Sequence, residues 1–217
     1  MMKFFQNFVL EAQVFLTKHD WLLKLVAISV LGLFALSAWE SIIYNPSRTY
    51  STILLVVAES ITIFLILAAR KPKTLNLYPW PVFFAGAGTF HILFVQFSYG
   101  DSIISVLHAQ IIQVVGLLFQ IGAKISLGRS FGIVPANRGV KRGGFYRIVR
   151  HPIYLGYLIS HVGFFLQALS IQNAIVYIAL YCCQILRIHY EEKELSRDPL
   201  YVEYMKNTKW RLIPFIY

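Results

Sequence analysis

Arg150, His151 and Pro152 stand directly before an apolar stretch of the sequence and form a first candidate site. Proline is favoured in the first turn of a helix, where the N–H group that it lacks would have no helical partner. Arg150 and His151 are therefore predicted to lie at the N-terminal mouth of a helix. Free backbone N–H groups at such a mouth favour a carboxylate or another anionic group.

A second cluster of charged residues closes the last apolar stretch. Arg187, Glu191 and Glu194 follow one another at intervals of four and three residues, which places them on one face of a helix, with Glu192 offset to the side. Arg187 is within reach of the hydrocarbon boundary, where an unpaired charge is costly and usually functional. A solvated helix end with Arg-to-Glu pairing is the alternative, and for Glu194 it is the favoured interpretation.

The elements that must position both clusters are long apolar blocks. Of the 217 residues, 57% are hydrophobic and 14% are charged, whereas a soluble domain carries about 25% charged residues. A bilayer core about 30 Å thick needs about 20 mostly apolar helical residues. Six blocks approach this length, and they cover roughly residues 22–39, 50–69, 79–99, 103–123, 153–171 and 173–189. The sequence therefore predicts an all-α, polytopic integral membrane protein with about six transmembrane helices.

We interpret residues 1–217 as a single membrane domain. Residues 1–123 are predicted to contain an amphipathic helix over residues 3–18, which lies in the membrane interface, and the first four transmembrane helices. Residues 124–217 contain the charged clusters. The last two blocks leave two options open, because both contain polar residues: two spanning helices, or a shorter helical hairpin that does not fully cross.

The positive charges indicate the orientation. If both termini are cytoplasmic and the chain crosses six times, 19 of the 20 Lys and Arg residues face the cytoplasm and Arg48 alone faces outward. The positive-inside rule favours this multi-pass topology. The net charge of +10 is thus a topology signal that can also attract anionic membrane lipids. It does not indicate a nucleic-acid partner.

Three motifs in the C-terminal segment recur together in one known family. They are GGFYRIVRHPIYLGY, RIHYEEKEL and YVEYMKNTKWRLIPFIY. Over residues 124–217 the chain resembles the isoprenylcysteine carboxyl methyltransferase family and its phospholipid-methyltransferase relatives. One departure is visible: the family usually has Gly-Pro-Tyr where this chain has Gly144-Phe145-Tyr146, a change that concerns the local shape of the loop.

The resemblance implies an S-adenosylmethionine-dependent membrane methyltransferase. The cofactor pocket would be formed by cytoplasmic C-terminal segments, and a lipophilic small molecule or prenylated substrate would enter sideways from the bilayer. Arg187 and Glu191 would be the catalytic residues, with Arg187 facing the acceptor carboxylate. The residues expected to bind or flank the cofactor are Tyr146, Arg150, His151, Tyr154, Gly156 and Glu192.

Arg187 favours a carboxylate of the prenylcysteine type as the methyl acceptor, and the amine of a phospholipid is the alternative. A carboxylate is already a nucleophile and needs only a cation to hold it, which a planar Arg does well. An amine acceptor of a phospholipid would need a base, for which Glu191, Glu192 or His151 is the candidate. Other hypotheses are an NADPH-dependent enzyme of the sterol-reductase type and a transporter.

Further polar residues lie inside the apolar blocks. Glu59, His91, His108 and His161 are candidates for function because ionisable groups are rare in membranes. For Glu59 a neutral, hydrogen-bonded packing role is the favoured interpretation, and for the three histidines a functional role is the less favoured one. The adjacent Cys182 and Cys183 are predicted to be small buried hydrophobic residues. No His, Cys or carboxylate spacing indicates a metal site.

Overall fold

The structure, a computed structural model, describes residues 49–96 and 100–217, together with scattered positions between residues 11 and 43. The predicted amphipathic helix over residues 3–18 and the first apolar block lie for the most part outside the described residues. Within the described ranges the elements of regular structure are helices, apart from one pair of two-residue strands. The prediction of an all-α fold is confirmed.

Six α-helices lie within residues 49–96 and 100–217. They are α1 (Thr49–Ala68), α2 (Pro79–Phe90), α3 (Val106–Leu127), α4 (Pro152–Gln167), α5 (Ile171–Leu195) and α6 (Pro199–Asn207). Short 3-10 turns cover His91–Phe94, Gly128–Ser130 and Gly144–Arg147. Strand β1 (Thr74–Leu75) pairs antiparallel with β2 (Ala136–Asn137). This pairing connects the segment before α2 to the long loop after α3.

Two of the described helical segments are long and apolar enough to cross a membrane. They run over Val106–Ser130 and Ile171–Leu195, where the blocks 103–123 and 173–189 were predicted. The block 79–99 is not one continuous α-helix, because α2 ends at Phe90 and a 3-10 turn follows. Helix α4 has 16 residues, fewer than the block 153–171, which agrees with the shorter-hairpin option for that helix.

Glycines allow the helices to pack closely. A Cβ atom on Gly116 of α3 would lie 2.4 Å from the backbone nitrogen of Ser160, and one on Gly156 of α4 would lie 2.7 Å from that of Gln120. Helices α3 and α4 therefore pack backbone against backbone. Helices α4 and α5 meet mainly through long side chains instead, including the His161 ring and the Tyr181 hydroxyl, which hydrogen-bond at 2.9 Å.

A buried ion pair fastens α1 to α3. Lys124 is fully buried, and its Nζ lies 3.3 Å from Glu59 Oε1 and 3.2 Å from the carbonyl oxygen of Ala58. Glu59 thus has a packing role, but as half of a salt bridge and not as the neutral group that the sequence interpretation favoured. Lys124, which the topology argument counted among the basic residues of a cytoplasmic loop, lies inside α3.

Candidate active site

The N-terminus of α4 forms as the Arg-His-Pro sequence predicted. Pro152 opens the helix, and His151 caps it without a side-chain hydrogen bond. The backbone N–H of Arg150 donates to the carbonyl of Trp210 at 2.9 Å, and that of His151 donates to the carbonyl of Arg211 at 2.8 Å. The C-terminal segment thus accepts the amides of the two residues that precede the helix and holds this helix mouth in place.

Glu192 joins three basic side chains. Its carboxylate lies 2.8 Å from Arg150 Nε, 3.2 Å from His151 Nε2 and 2.9 Å from Arg211 Nε. The Arg150 contact is an ion pair without an aligned hydrogen bond, whereas Arg211 donates a hydrogen bond. Since Glu192 is buried and its oxygens are engaged, it ties the helix mouth, α5 and the C-terminal segment together.

Glu191 is the more accessible of the two neighbouring carboxylates. Its side chain is 18% exposed, accepts a short hydrogen bond from the Tyr154 hydroxyl, and pairs with Arg187 Nε at 3.1 Å. His151 Nδ1 lies 3.7 Å away. The His151 ring thus stands between Glu191 and Glu192, and it stacks on Tyr154 with centroids 5.6 Å apart.

Arg187 is buried, and its guanidinium plane is fixed on three sides. Nε pairs with Glu191, Nη2 donates to the carbonyl of Ile133 at 2.9 Å, and the group lies over the Tyr154 ring at 5.2 Å. Nη1 faces α2, where a Cβ atom on Gly88 would lie 3.3 Å from it. The charge is therefore compensated, and one edge of the guanidinium is turned toward the seam between α2 and α5.

Glu194 does not lie at a solvated helix end. It is 1% exposed, and it pairs with the exposed Arg197 at 3.0 Å. The prediction of a solvated side chain is wrong, because α6 follows α5 after a short turn and the chain around this turn covers the carboxylate.

A cavity of about 120 Å³ opens beside these residues. Tyr146, Arg150, His151, Tyr154 and Glu191 all line it, as do residues of the loop after α3 and of α6. Sequence reasoning therefore identified five of its wall residues, spread over three parts of the chain.

Gly156, Glu192 and Arg187 do not line this cavity within the described residues. Gly156 was expected at the cofactor pocket, but it faces the backbone of Gln120 and serves the packing of α3 against α4. Glu192 lies behind His151, and Arg187 lies behind Glu191 and Tyr154. For Glu192 this position follows from helix geometry, which turns the adjacent residues Glu191 and Glu192 to different faces.

Two tyrosines of α6 complete the wall and had been assigned no role. Tyr201 and Tyr204 line the cavity, and the Tyr204 hydroxyl donates to the carbonyl of Tyr146 at 2.7 Å. The Tyr201 hydroxyl is buried and has no hydrogen-bond partner among the described residues. Their spacing, Tyr-x-x-Tyr on one helical face, is the signal that identifies them.

The phenols around the cavity stay neutral at physiological pH. Burial raises the pKa of Tyr146 well above its ordinary value, and the charge of Glu191 adds to the rise. Burial also raises the pKa of Tyr204 to about 12 and elevates the pKa of Tyr201. These side chains therefore offer ring faces and O–H groups to a ligand, and they do not serve as bases.

The comparison with known families agrees with this geometry. Residues 102–197 match the model of the isoprenylcysteine carboxyl methyltransferase family. The resemblance inferred from the motifs is confirmed over this range, which contains α3, α4, α5 and the loop between α3 and α4. No curated protein matches the chain.

The family match supports a membrane enzyme, a methyltransferase that acts on prenylcysteine, and the use of S-adenosylmethionine is implied by the family. The two long apolar helices fit a membrane protein. Helices α1 and α2 precede the matched range. Glu59 of α1 also precedes it, and its salt bridge with Lys124 connects α1 to α3 inside the range. Residues 201–217 follow the matched range, although they supply part of the cavity wall and the amide contacts of the helix mouth.

Proposed function

We propose that this chain transfers a methyl group from S-adenosylmethionine to the carboxylate of a prenylcysteine-type acceptor at the cytoplasmic membrane surface. One observation carries the proposal: the Arg187 guanidinium is held at the back of the tyrosine-lined cavity wall, with its Nη1 edge turned toward α2. A buried, planar cation next to the membrane interface suits a carboxylate whose remaining part is lipophilic.

The residues of the cavity fit the proposed cofactor. Glu191 presents a carboxylate for a cationic group, and the Tyr146, Tyr154 and Tyr204 side chains line the same space. Aromatic faces attract cations such as a sulfonium or an ammonium. The buried, unpartnered hydroxyl of Tyr201 is a further group for a polar ligand. When bound, the cofactor would supply an activated methyl group.

The protein residues then have to hold the acceptor and exclude water. Arg187 would bind the acceptor carboxylate, while Glu191 and the Ile133 carbonyl fix the plane of the guanidinium. A carboxylate needs no base, so the alignment of the two reactants and the removal of water would provide most of the acceleration. Beside Arg187, the stacked rings of Phe84 and Tyr190, 5.9 Å apart, offer an apolar surface for a prenyl group.

We further propose a multi-pass topology with both termini in the cytoplasm. The ends of α1 and α3 lie together, since the Arg70 amide donates to the carbonyl of Arg129 at 2.8 Å. At the opposite side of the fold, Asp101 pairs with Leu169. The described helices thus alternate in direction, and the basic connections lie on the side of the cavity. Reporter fusions at either terminus that showed an outward location would refute this topology.

Ligand-induced thermal stabilisation in detergent tests the proposed cofactor. S-adenosylhomocysteine should raise the midpoint of unfolding, and NADPH should not. Glu191→Gln should weaken the stabilisation, because the neutral amide attracts the ammonium group of S-adenosylhomocysteine less, while Arg142→Gln, at an exposed ion pair with Glu203, should leave it unchanged. Stabilisation by NADPH alone would instead support a reductase.

A further inference from the structure

The ten residues after α6, 208–217, form a segment that we call the C-terminal clasp. Its base is firmly held: the Trp210 and Arg211 carbonyls accept the amides of Arg150 and His151, and the Arg211 side chain binds Glu192. Leu212 is 5% exposed and belongs to the hydrophobic cluster shared by α1, α3, α4 and α5. The clasp is thus part of the folded protein.

The tip of the clasp is a tight turn that points two apolar side chains away from the protein. The amides of Leu212 and Ile213 donate to the Tyr217 carbonyl at 2.8 and 3.0 Å, and the Tyr217 amide donates back to the Ile213 carbonyl at 3.0 Å. Phe215 and Ile216 at the end of this turn are 84% and 77% exposed.

The backbone conformation of the tip is unfavourable for the residue that it carries. Phe215 has a φ of +67° and is the one non-glycine residue with positive φ in the described part of the chain. The left-handed region is sterically unfavourable for a residue that carries a side chain. Phe215 gains little burial within the protein in return, so the adjacent exposed side chains of Phe215 and Ile216 form a candidate contact surface for another medium.

The position and charge of the tip identify that medium. The cluster that holds Leu212 includes Leu65 and Ile66 in the last turn of α1 and Ile153 in the first turn of α4, so the clasp lies level with the ends of the membrane helices. The Trp210 ring contacts that of Phe215 at 5.4 Å, and Lys209 is exposed beside them. Aromatic side chains with basic neighbours are typical of the lipid headgroup boundary.

We propose that Phe215 and Ile216 insert into the bilayer interface and that anionic lipid headgroups surround the basic residues beside them. The clasp then connects the lipid surface directly to the mouth of α4, where the cavity opens. The proposal rests on the membrane placement given above and is independent of the methyl-transfer chemistry.

Spin-label accessibility tests the proposal in the full chain, with Cys182→Ala and Cys183→Ala as background. The protein is reconstituted into phosphatidylcholine–phosphatidylglycerol vesicles with a single label at Ile216→Cys. A label at Val115→Cys, on the exposed face of α3, reports the hydrocarbon, and one at Glu203→Cys, on α6, reports water. Each labelled variant must unfold thermally at the same midpoint as the unlabelled protein.

Oxygen concentrates in the bilayer, whereas a polar nickel chelate stays in water. We expect the oxygen-to-nickel accessibility ratio at position 216 to be several-fold higher than at position 203 and to approach that at position 115. A ratio equal to that at 203 would overturn the proposal while leaving the membrane placement intact. Low accessibility to both reagents would also overturn it, because a protein surface would then cover the tip. An aqueous ratio at position 115 would refute the membrane placement and this proposal together.

Discussion

Replacing Arg187 by lysine tests the role of the guanidinium without removing its charge. In the structure Nε pairs with Glu191 at 3.1 Å, Nη2 donates to the Ile133 carbonyl at 2.9 Å, and the group lies over the Tyr154 ring at 5.2 Å from its centroid. A lysine ammonium can keep the contact with Glu191, but it lacks the planar fork that makes the second hydrogen bond at the same time. The loss of one charge-assisted hydrogen bond is worth about 1.5–3 kcal/mol, or roughly 10-fold to 150-fold in rate if the contact acts in the transition state.

The assay is steady-state methyl transfer by purified protein, together with calorimetric titration of S-adenosylhomocysteine. Arg187→Lys should lose most of its turnover and retain cofactor affinity, because Arg187 does not line the cavity within the described residues. Arg142→Lys is the matched control, since its pair with Glu203 is largely exposed and such pairs contribute about 0–1 kcal/mol. Near-normal turnover in Arg187→Lys would show that the arginine only neutralises Glu191 and would make an amine acceptor the better hypothesis.

Three further changes probe the cofactor side, the acceptor side and the fold. His151→Ala should weaken S-adenosylhomocysteine binding in calorimetry while the protein still folds, and unchanged affinity would place the pocket elsewhere. Gly88→Val should lower turnover about 10-fold to 100-fold by crowding Gln184 Oε1 and the Arg187 guanidinium, which both face it, whereas Gly143→Ala, with open space around it, should be neutral in the same assay. Lys124→Met should lower the free energy of unfolding by about 3–5 kcal/mol, because Glu59 is left buried and unpaired. Adding Glu59→Met should restore much of this loss in denaturant titrations, and a double variant no more stable than the single one would contradict the pairing.

The fold was predictable where the hydrophobic pattern was long. Blocks 50–69 and 103–123 became α1 and α3, and Pro152 correctly marked the start of α4. The prediction of one continuous helix over block 79–99 was wrong, because composition alone does not reveal the change from α-helix to 3-10 turn at His91. Hydropathy identifies residues that prefer an apolar medium, but it does not show where the backbone hydrogen bonds change register.

The candidate site was predictable from spacing within helices and not from contacts between them. Arg187 and Glu191 share a helical face and do form the expected pair. The burial of Glu194 and the packing role of Gly156 against Gln120 depend on which neighbouring element covers each face. Both features depend on tertiary packing, and so does the salt bridge between Lys124 of α3 and Glu59 of α1.

The most direct test of the proposed function follows the methyl group itself. The purified protein in lipid vesicles is supplied with methyl-labelled S-adenosylmethionine and an N-acetylated S-farnesylcysteine, with N-acetylcysteine as the acceptor that lacks the prenyl group. A carboxyl methyl ester releases labelled methanol in base, whereas an N-methyl amine retains its label. We predict base-labile label on the farnesylated acceptor, little on the unprenylated one, and loss of the signal in Arg187→Lys. Base-stable label in the phospholipid fraction, or no transfer to the farnesylated acceptor by folded protein that binds the cofactor, would contradict the assignment of a prenylcysteine carboxylate as the acceptor.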